Sequence, residues 1–165
     1  IKKVRSGGIK EYVQSRTNAE YHEGKGSWTI PGDVALPCGT QNELNGDDAG
    51  SLIKNGVRAV AEGAKMASTL EAKEEVLKNK KKYSPGKAAN AGGVATSALE
   101  MSQNAQRLSW SFEEVDQKLQ GIMVNIYRQI SEAAAAYDAP GNFVLGANIA
   151  GFLKVANAMM DQGVV

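Results

Sequence analysis

Apolar residues follow two different spacings along this chain, and the change of spacing divides it in two. In the first half, short apolar runs bounded by turn residues predict buried strands at 33–38 and 58–62. Helical spacing predicts helices at 43–55 and 69–78, and Gly56 follows the first of them as a helix stop. Strand and helix therefore alternate, which indicates a parallel sheet built from βα units.

Shorter segments flank these units. Apolar residues at helical spacing predict a surface helix over 8–16, and residues 19–21 predict a short strand. The glycines within 23–27 predict a turn. Tyr83 leads into a second turn at residues 85–86, whose Pro-Gly sequence is a strong turn signal.

The second half is predicted to be helical throughout. One helix is expected over 92–108 and a last one over 146–162, which Gly163 ends as a left-handed cap. Between them, Ser111 and Glu114 have the spacing of a capping box that opens a long helix. An apolar stripe at three- and four-residue intervals runs along that helix: Val115, Leu119, Ile122, Met123, Ile126 and Ile130. Such a stripe is typical of core or subunit packing.

Composition narrows the function classes. The 165 residues suffice for one domain, and a net charge of +1 gives no reason to expect binding to nucleic acid or to an acidic membrane. The basic run 78–82 is interpreted as a solvated helix end, with an anion site as the less favoured alternative. Cys38 and His22 are the only residues of their types, which argues against a disulfide and a metal site.

The sequence also gives expectations about cellular location and about whether the chain is a whole protein. We expect no apolar run long enough to span a bilayer and see no secretory signal, so a cytoplasmic protein is predicted. The chain starts at Ile1 in polar sequence with no initiator Met, and we expect it to be a fragment of a longer protein.

Candidate chemistry follows the ends of the predicted strands, because ligands bind at the carboxyl ends of parallel strands. Residues 37–43 follow the first strand, and Gly39, Thr40 and Gln41 there suit a ribose or carboxamide. Thr40 and Glu43 fit a helix N-cap box equally well, and spacing alone leaves both interpretations open. Residues 62–66 follow the second strand, where Gly63 weakly marks close backbone approach.

A third candidate lies at 90–97. Asn90 can both donate and accept hydrogen bonds, and Gly92 with Gly93 permits tight packing. The Ser97 hydroxyl could face a ligand at that end of the helix, or bond back to a backbone carbonyl as helical serines often do.

Five segments resemble glutamate dehydrogenases in sequence and in order. They are 36–44 (LPCGTQNEL), 61–66 (AEGAKM), 85–94 (PGKAANAGGV), 99–104 (LEMSQN) and 146–152 (GANIAGF). The resemblance covers nearly the whole chain and points to the C-terminal portion of the hexameric, microbial-type enzyme. That enzyme oxidises glutamate to 2-oxoglutarate and ammonia with NAD or NADP.

The resemblance implies the fold and its division. It implies an α/β fold: the C-terminal part of a Rossmann-like, parallel-sheet dinucleotide-binding domain followed by long C-terminal helices. Residues 1–90 would form the C-terminal half of that domain. Residues 91–165 would complete it as a helical segment and bridge to a substrate domain absent from this chain.

The resemblance also implies site residues. Gly39, Thr40 and Gln41 would lie along the cofactor, and Asn90 would meet both the nicotinamide and the substrate. Val94 and Ser97 would line the pocket for the substrate side chain. Ser97 favours glutamate over leucine, phenylalanine or valine, because a hydroxyl can bond a γ-carboxylate whereas an aliphatic side chain requires an apolar residue.

Three positions depart from the family, and its catalytic residues are not found. Lys65 stands where the family usually has asparagine, which places a cation among the cofactor-binding residues; Ala67 replaces a proline and Gly39 an alanine. The family's catalytic lysine and aspartate belong to upstream segments, so the chain alone is predicted to be inactive. The alternative is a non-catalytic nucleotide-binding or interaction module that retains the scaffold.

Overall fold

The computed structural model describes residues 10–24 and 27–163. Its sheet has three parallel strands in the order β1 (Val34–Ala35), β2 (Ala59–Ala61) and β3 (Lys82–Ser84). Helices α2 (Gly46–Lys54) and α3 (Leu70–Lys78) connect successive strands. The α/β fold class and the βα units predicted from the sequence are confirmed.

Side-chain hydrogen bonds begin the helices of this half, and a glycine ends one of them. Thr69 caps α3, because its side-chain oxygen accepts the Ala72 N–H at 3.3 Å. Helix α2 begins later than predicted: Asn45 accepts the Asp48 N–H at 3.0 Å, and Asp48 accepts the Asn45 N–H at 3.3 Å. The N-cap box proposed for Thr40 and Glu43 is therefore wrong. Gly56, with φ of 86°, ends α2 as predicted.

Three other predictions need correction. Residues 19–21 form no strand, and helix α1 covers only Lys10–Val13 of the predicted 8–16, whose first two residues lie outside the described part. Strand β3 was not predicted, because Tyr83 is its only buried residue and one apolar position shows no alternation.

A single apolar core lies between the sheet and its connecting helices. The cluster holds Leu44, Leu52, Val57, Val60, Val76 and Tyr83, together with three alanines. Val60 from the central strand and Tyr83 from the edge strand are opposite each other in the parallel register. Burial on this scale stabilises by about 1.5–3 kcal/mol for each large apolar side chain.

The second half forms a helical layer. It comprises α4 (Gly86–Ala89), α5 (Ala91–Ala105), α6 (Phe112–Ala136) and α7 (Phe143–Gln162). The predicted capping box at the start of α6 is confirmed: Ser111 accepts the Glu114 N–H at 3.2 Å, and Glu114 accepts the Ser111 N–H at 2.7 Å. Helix α7 begins one turn before the predicted residue 146, because Asn142 accepts the Leu145 N–H at 3.1 Å.

Helices α6 and α7 cross at Gly146, which is buried. A Cβ atom at this position would overlap the Ile130 carbonyl oxygen and lie 3.1 Å from the Ala134 Cβ. Only glycine lets the two backbones approach so closely. Phe143, one turn earlier, packs with Ile130 and Ala88, so the crossing joins α7 to both α6 and α4.

Helix α7 has the length and apolar composition that would let a helix cross a membrane. The expectation that no run is long enough is therefore wrong on length and composition alone. The helix packs its buried residues, Phe143 and Gly146, against α6, as a helix of a folded helical layer does.

Candidate functional site

Three loops meet at the carboxyl ends of the three strands, and we call this region the carboxyl edge. The loops are residues 36–45 after β1, 62–69 after β2 and 85–90 after β3, and the last of them contains the short helix α4. The first carries Gly39, Thr40 and Gln41, the second Lys65 and the third Asn90. The parallel topology thus brings together all five residues that the resemblance implies for cofactor binding.

Backbone hydrogen bonds join the first loop to the second. The Asn42 N–H donates to the Met66 carbonyl at 2.9 Å, and the Leu44 N–H donates to the Ala67 carbonyl at 3.0 Å. Asn42 and Met66 both have positive φ, 55° and 54°. Since non-glycine residues seldom adopt this conformation, the paired loops hold a defined and strained shape.

The first loop is closed by its own glutamate. The Gly39 N–H donates to Glu43 Oε1 at 2.8 Å, and a Cβ at Gly39 would lie 2.5 Å from Glu43 Oε2. Glu43 therefore stabilises this loop and not the start of α2. The side chains of Thr40 and Gln41 are exposed, so their hydroxyl and amide groups are accessible at the carboxyl edge.

The third loop brings Asn90 against the end of β2. Asn90 ends α4 and begins α5, and its N–H donates to the Gly86 carbonyl at 2.9 Å. A Cβ at Gly86 would lie 3.2 Å from the Ala64 oxygen, 3.4 Å from Asn90 Nδ2 and 3.5 Å from Glu62 Oε2. The glycine of the predicted Pro-Gly turn thus permits close approach of the second and third loops.

Glu62, which was not predicted as a site residue, is buried between these two loops. It is 2% exposed, and its carboxylate accepts the Ser68 N–H at 2.9 Å and the Gly86 N–H at 2.7 Å. Burial raises the pKa of Glu62, but the two N–H groups, together with Tyr83 and Lys73, hold the pKa below its ordinary value. The strand period carried a signal, because Glu62 shares a face with the core residue Val60.

A cavity of about 410 Å³ opens beside Glu62. Its lining includes Lys65, Lys73, Tyr83 and Asn90. Tyr83 is fully buried, and burial raises the pKa of its phenol well above the ordinary value, with the Glu62 carboxylate contributing. The cavity lining therefore combines apolar surface with carboxylate, amide and ammonium groups.

Val94 and Ser97 lie on α5 beyond this cavity. Their separations from Asn90, four and seven residues, place all three on one helical face. Val94 is 71% exposed, and the exposed Ser97 hydroxyl donates to the Gly93 carbonyl at 3.3 Å. The structure thus has the back-bonded serine foreseen as one alternative, on a face continuous with Asn90.

Among residues 10–24 and 27–163, no three His, Cys, Asp or Glu side chains converge as a metal site would require.

Comparisons with known proteins identify relatives of this arrangement. NADP-specific glutamate dehydrogenase of Haemophilus influenzae is 51% identical over 165 residues, which are 99% of this chain and 36% of that protein. NAD-specific glutamate dehydrogenase of Bacteroides fragilis is 51% identical over 157 residues, 95% of this chain and 35% of that protein. This chain therefore spans about a third of the length of the curated relatives it matches.

The fold has close counterparts as well. A crystal structure of Plasmodium falciparum glutamate dehydrogenase matches with a TM-score of 0.94 and 46% identity, over 100% of this chain and 36% of that one. The family model of glutamate, leucine, phenylalanine and valine dehydrogenases matches residues 1–163. The resemblance stated from the sequence motifs is confirmed, and the chain belongs to the glutamate/leucine/phenylalanine/valine dehydrogenase family.

Proposed function

We propose that this chain is part of an NAD- or NADP-dependent glutamate dehydrogenase, which converts L-glutamate to 2-oxoglutarate and ammonia. The observation that carries the proposal is the continuous face formed by Asn90, Val94 and Ser97, which starts at the carboxyl edge and runs outward along α5. Since the chain spans 36% of the Haemophilus influenzae relative, the activity belongs to the whole protein. This chain supplies one wall of the cleft.

The carboxyl edge fits a nicotinamide cofactor. Thr40 and Gln41 offer an exposed hydroxyl and amide, suited to a ribose, and Asn90 offers an amide that can both donate to and accept from a carboxamide. A bound nicotinamide would supply the acceptor for the hydride on the substrate Cα. The residues of this chain bind and orient the reactants for that transfer.

The face beyond Asn90 suits a glutamate side chain. Val94 presents an exposed apolar surface to the methylene groups. The Ser97 hydroxyl, whose bond to Gly93 is long at 3.3 Å, can turn to donate to the γ-carboxylate at little loss. A leucine side chain in the same place would leave that hydroxyl without a partner in the substrate, which disfavours it.

Either cofactor is compatible with this proposal. The two relatives described above share 51% identity with the chain, yet one is named NADP-specific and the other NAD-specific. Direct measurement of both cofactors on the whole protein distinguishes them.

Replacing Ser97 with alanine in the whole protein should raise the KM for glutamate by about tenfold to a hundredfold. A hydrogen bond to a charged group contributes about 1.5–3 kcal/mol, which corresponds to that range. The KM for the cofactor should change by less than about twofold, because Ser97 lies two helical turns from Asn90. Steady-state kinetics with each substrate varied in turn measure both values.

Thr96 provides a matched control. Its hydroxyl also bonds back, to the Gly92 carbonyl at 2.9 Å, but it lies on a different face of α5. Thr96→Ala should leave both KM values unchanged. Equal losses for glutamate and cofactor in Ser97→Ala would remove the γ-carboxylate role, and turnover of leucine in place of glutamate would reassign the substrate.

A non-catalytic module on the same scaffold is the second candidate. Lys65 favours it, because this cation lines the cavity beside Asn90 at a position where the family usually has asparagine. A bound oxidised nicotinamide carries a positive charge, which a nearby ammonium group repels. Glutamate-dependent reduction of NAD or NADP by the native protein would exclude this candidate; cofactor binding without turnover would support it.

The proposal extends to assembly and location. We propose a cytoplasmic homohexamer, and the large apolar side chains left exposed on α5, α6 and α7 support association with further protein surface. Examples are Met101 at 72%, Phe112 at 81% and Phe152 at 70% exposure. Light scattering of the native protein measures its assembly.

A further inference from the structure

One buried carboxylate connects all three loops of the carboxyl edge. Glu62 follows β2 as the first residue of the second loop and uses one oxygen within that loop and one for the third: Oε1 accepts the Ser68 N–H at 2.9 Å, and Oε2 accepts the Gly86 N–H at 2.7 Å. Ser68 closes the loop that carries Lys65, and Gly86 opens the helical turn that leads to Asn90. A single side chain thereby fixes the spacing between these two loops.

The first loop is connected through the second. Ser68 pairs with Leu44 in a parallel bridge, and the Thr69 N–H donates to the Leu44 carbonyl at 3.0 Å. The loop with Gly39, Thr40 and Gln41 therefore rests on the segment that Glu62 holds. Displacing Ser68 would move the first loop as well as the second.

Gly86 shows why a carboxylate is needed at this place. Pro85 precedes α4 at its N-cap position and has no side chain that could cap the helix. Glu62 supplies the missing acceptor from another strand, and its negative charge complements the N–H groups at the start of the helix. The Asn90 amide nitrogen and Glu62 Oε2 both approach the vacant side of Gly86, so carboxylate and amide are positioned against the same backbone atoms.

The charged groups around Glu62 favour its ionised form. Lys73 of α3 approaches Oε1 at 4.0 Å, and Lys65 and Lys87 line the same cavity. Tyr83 of β3 stays protonated, since the pKa of its phenol is raised by burial and by Glu62. A protonated Glu62 would present a hydroxyl to one of the two N–H groups, and that hydrogen bond would be lost.

We propose that ionised Glu62 is a positioning residue, which holds the loops of Gly39–Gln41, Lys65 and Asn90 in the arrangement that receives the nicotinamide. The part that concerns the nicotinamide rests on the proposed function. The part that concerns the loops does not, because it follows from the hydrogen bonds alone.

The sign of the pH effect follows from the direction of the pKa. The pKa of Glu62 is held below its ordinary value, so its stabilising effect is complete above that value. The effect is lost as the pH falls through the lowered pKa. The loops should therefore loosen on acidification and not on a rise in pH.

Hydrogen exchange followed by mass spectrometry tests the loops directly. In Glu62→Gln, the amides of 63–69 and 85–91 should exchange about tenfold faster, because one N–H then faces an NH₂ group. Peptides from α6 should be unchanged. Glu74→Gln is the matched control, an identical change at an exposed position of α3, and it should alter neither loop.

Faster exchange throughout the protein, or no change in the two loops, would overturn the positioning role. Because a buried substitution can unfold a protein, the unmodified protein provides a second measurement. After correction for intrinsic rates, the same two segments should lose protection at acidic pH before α6 does. Simultaneous loss in all three would also contradict the inference.

Cofactor affinity tests the functional part. Glu62→Gln should weaken binding of the reduced cofactor about tenfold at neutral pH, as expected for a lost charged hydrogen bond. Glu62→Asp, which keeps the charge but reaches only one loop, should fall between it and the unmodified protein. If the unmodified protein binds no nicotinamide cofactor, the proposed function fails while the exchange result stands. If Glu62→Gln binds normally, the positioning role fails while the function stands.

Discussion

Replacing Gly146 with alanine should lower the free energy of unfolding by about 3 kcal/mol, the upper end of the usual range for overpacking. The added methyl group would overlap the Ile130 carbonyl oxygen and press on the Ala134 Cβ at 3.1 Å. Because one neighbour is the α6 backbone and the other is a methyl group attached directly to it, neither can rotate away as a flexible side chain would. The two helices must separate, and the contact of Phe143 with Ile130 weakens with them. Chemical denaturation followed by circular dichroism measures the loss.

The same helix contains the control. Gly151 is exposed, and a Cβ there would meet nothing within 4 Å. Gly151→Ala should stabilise the protein by up to about 1 kcal/mol, through the higher helix propensity of alanine. The close crossing is contradicted if both variants unfold at the same denaturant concentration.

Truncating Leu44 to alanine should lower the free energy of unfolding by about 2–5 kcal/mol. Leu44 has no exposed surface and belongs to the core cluster between the sheet and its helices. Its backbone also links the first and second loops of the carboxyl edge, through Ala67 and Thr69. The cavity left by the side chain should therefore loosen that edge as well as reduce stability. Denaturation gives the first effect, and hydrogen exchange of residues 39–43 gives the second.

Leu70 serves as its control. It is the first residue of α3 and is 71% exposed, so Leu70→Ala should change the free energy of unfolding by less than about 0.5 kcal/mol. A Leu44→Ala variant that is no less stable than Leu70→Ala would show that Leu44 is not part of the core.

The elements that depend on neighbouring residues were the ones predictable from the sequence. The capping box at Ser111 acts over three residues and lies where its spacing indicates, and α3 begins next to Thr69, the first residue of the predicted helix 69–78. At residues 40–43 the sequence left two interpretations open, a helix N-cap box and a ligand-binding loop. Spacing could not choose between them, because the outcome depends on the Gly39 N–H, which takes the Glu43 carboxylate for the loop and leaves the cap to Asn45.

The residues of the candidate site also differ in whether the sequence alone could predict them. The topological rule for parallel sheets sufficed to group Gly39 and Lys65 at one edge, whereas Asn90 follows β3, a strand that was not predicted. It could not single out Glu62, whose partners Ser68 and Gly86 are 6 and 24 residues away. An acidic residue at a strand end is usually solvent-exposed, and only the folded chain shows the two N–H groups that make its burial favourable.

Helix α7 is anchored unevenly, and this determines where it should open first. Its buried residues, Phe143 and Gly146, lie in the first turn, whereas residues 157–162 at its other end are all exposed. Half-buried residues such as Leu153 and Ala156 continue the packing between these two parts. Because segments with few buried contacts open most readily, the C-terminal end of α7 should fray while the crossing at Gly146 stays closed.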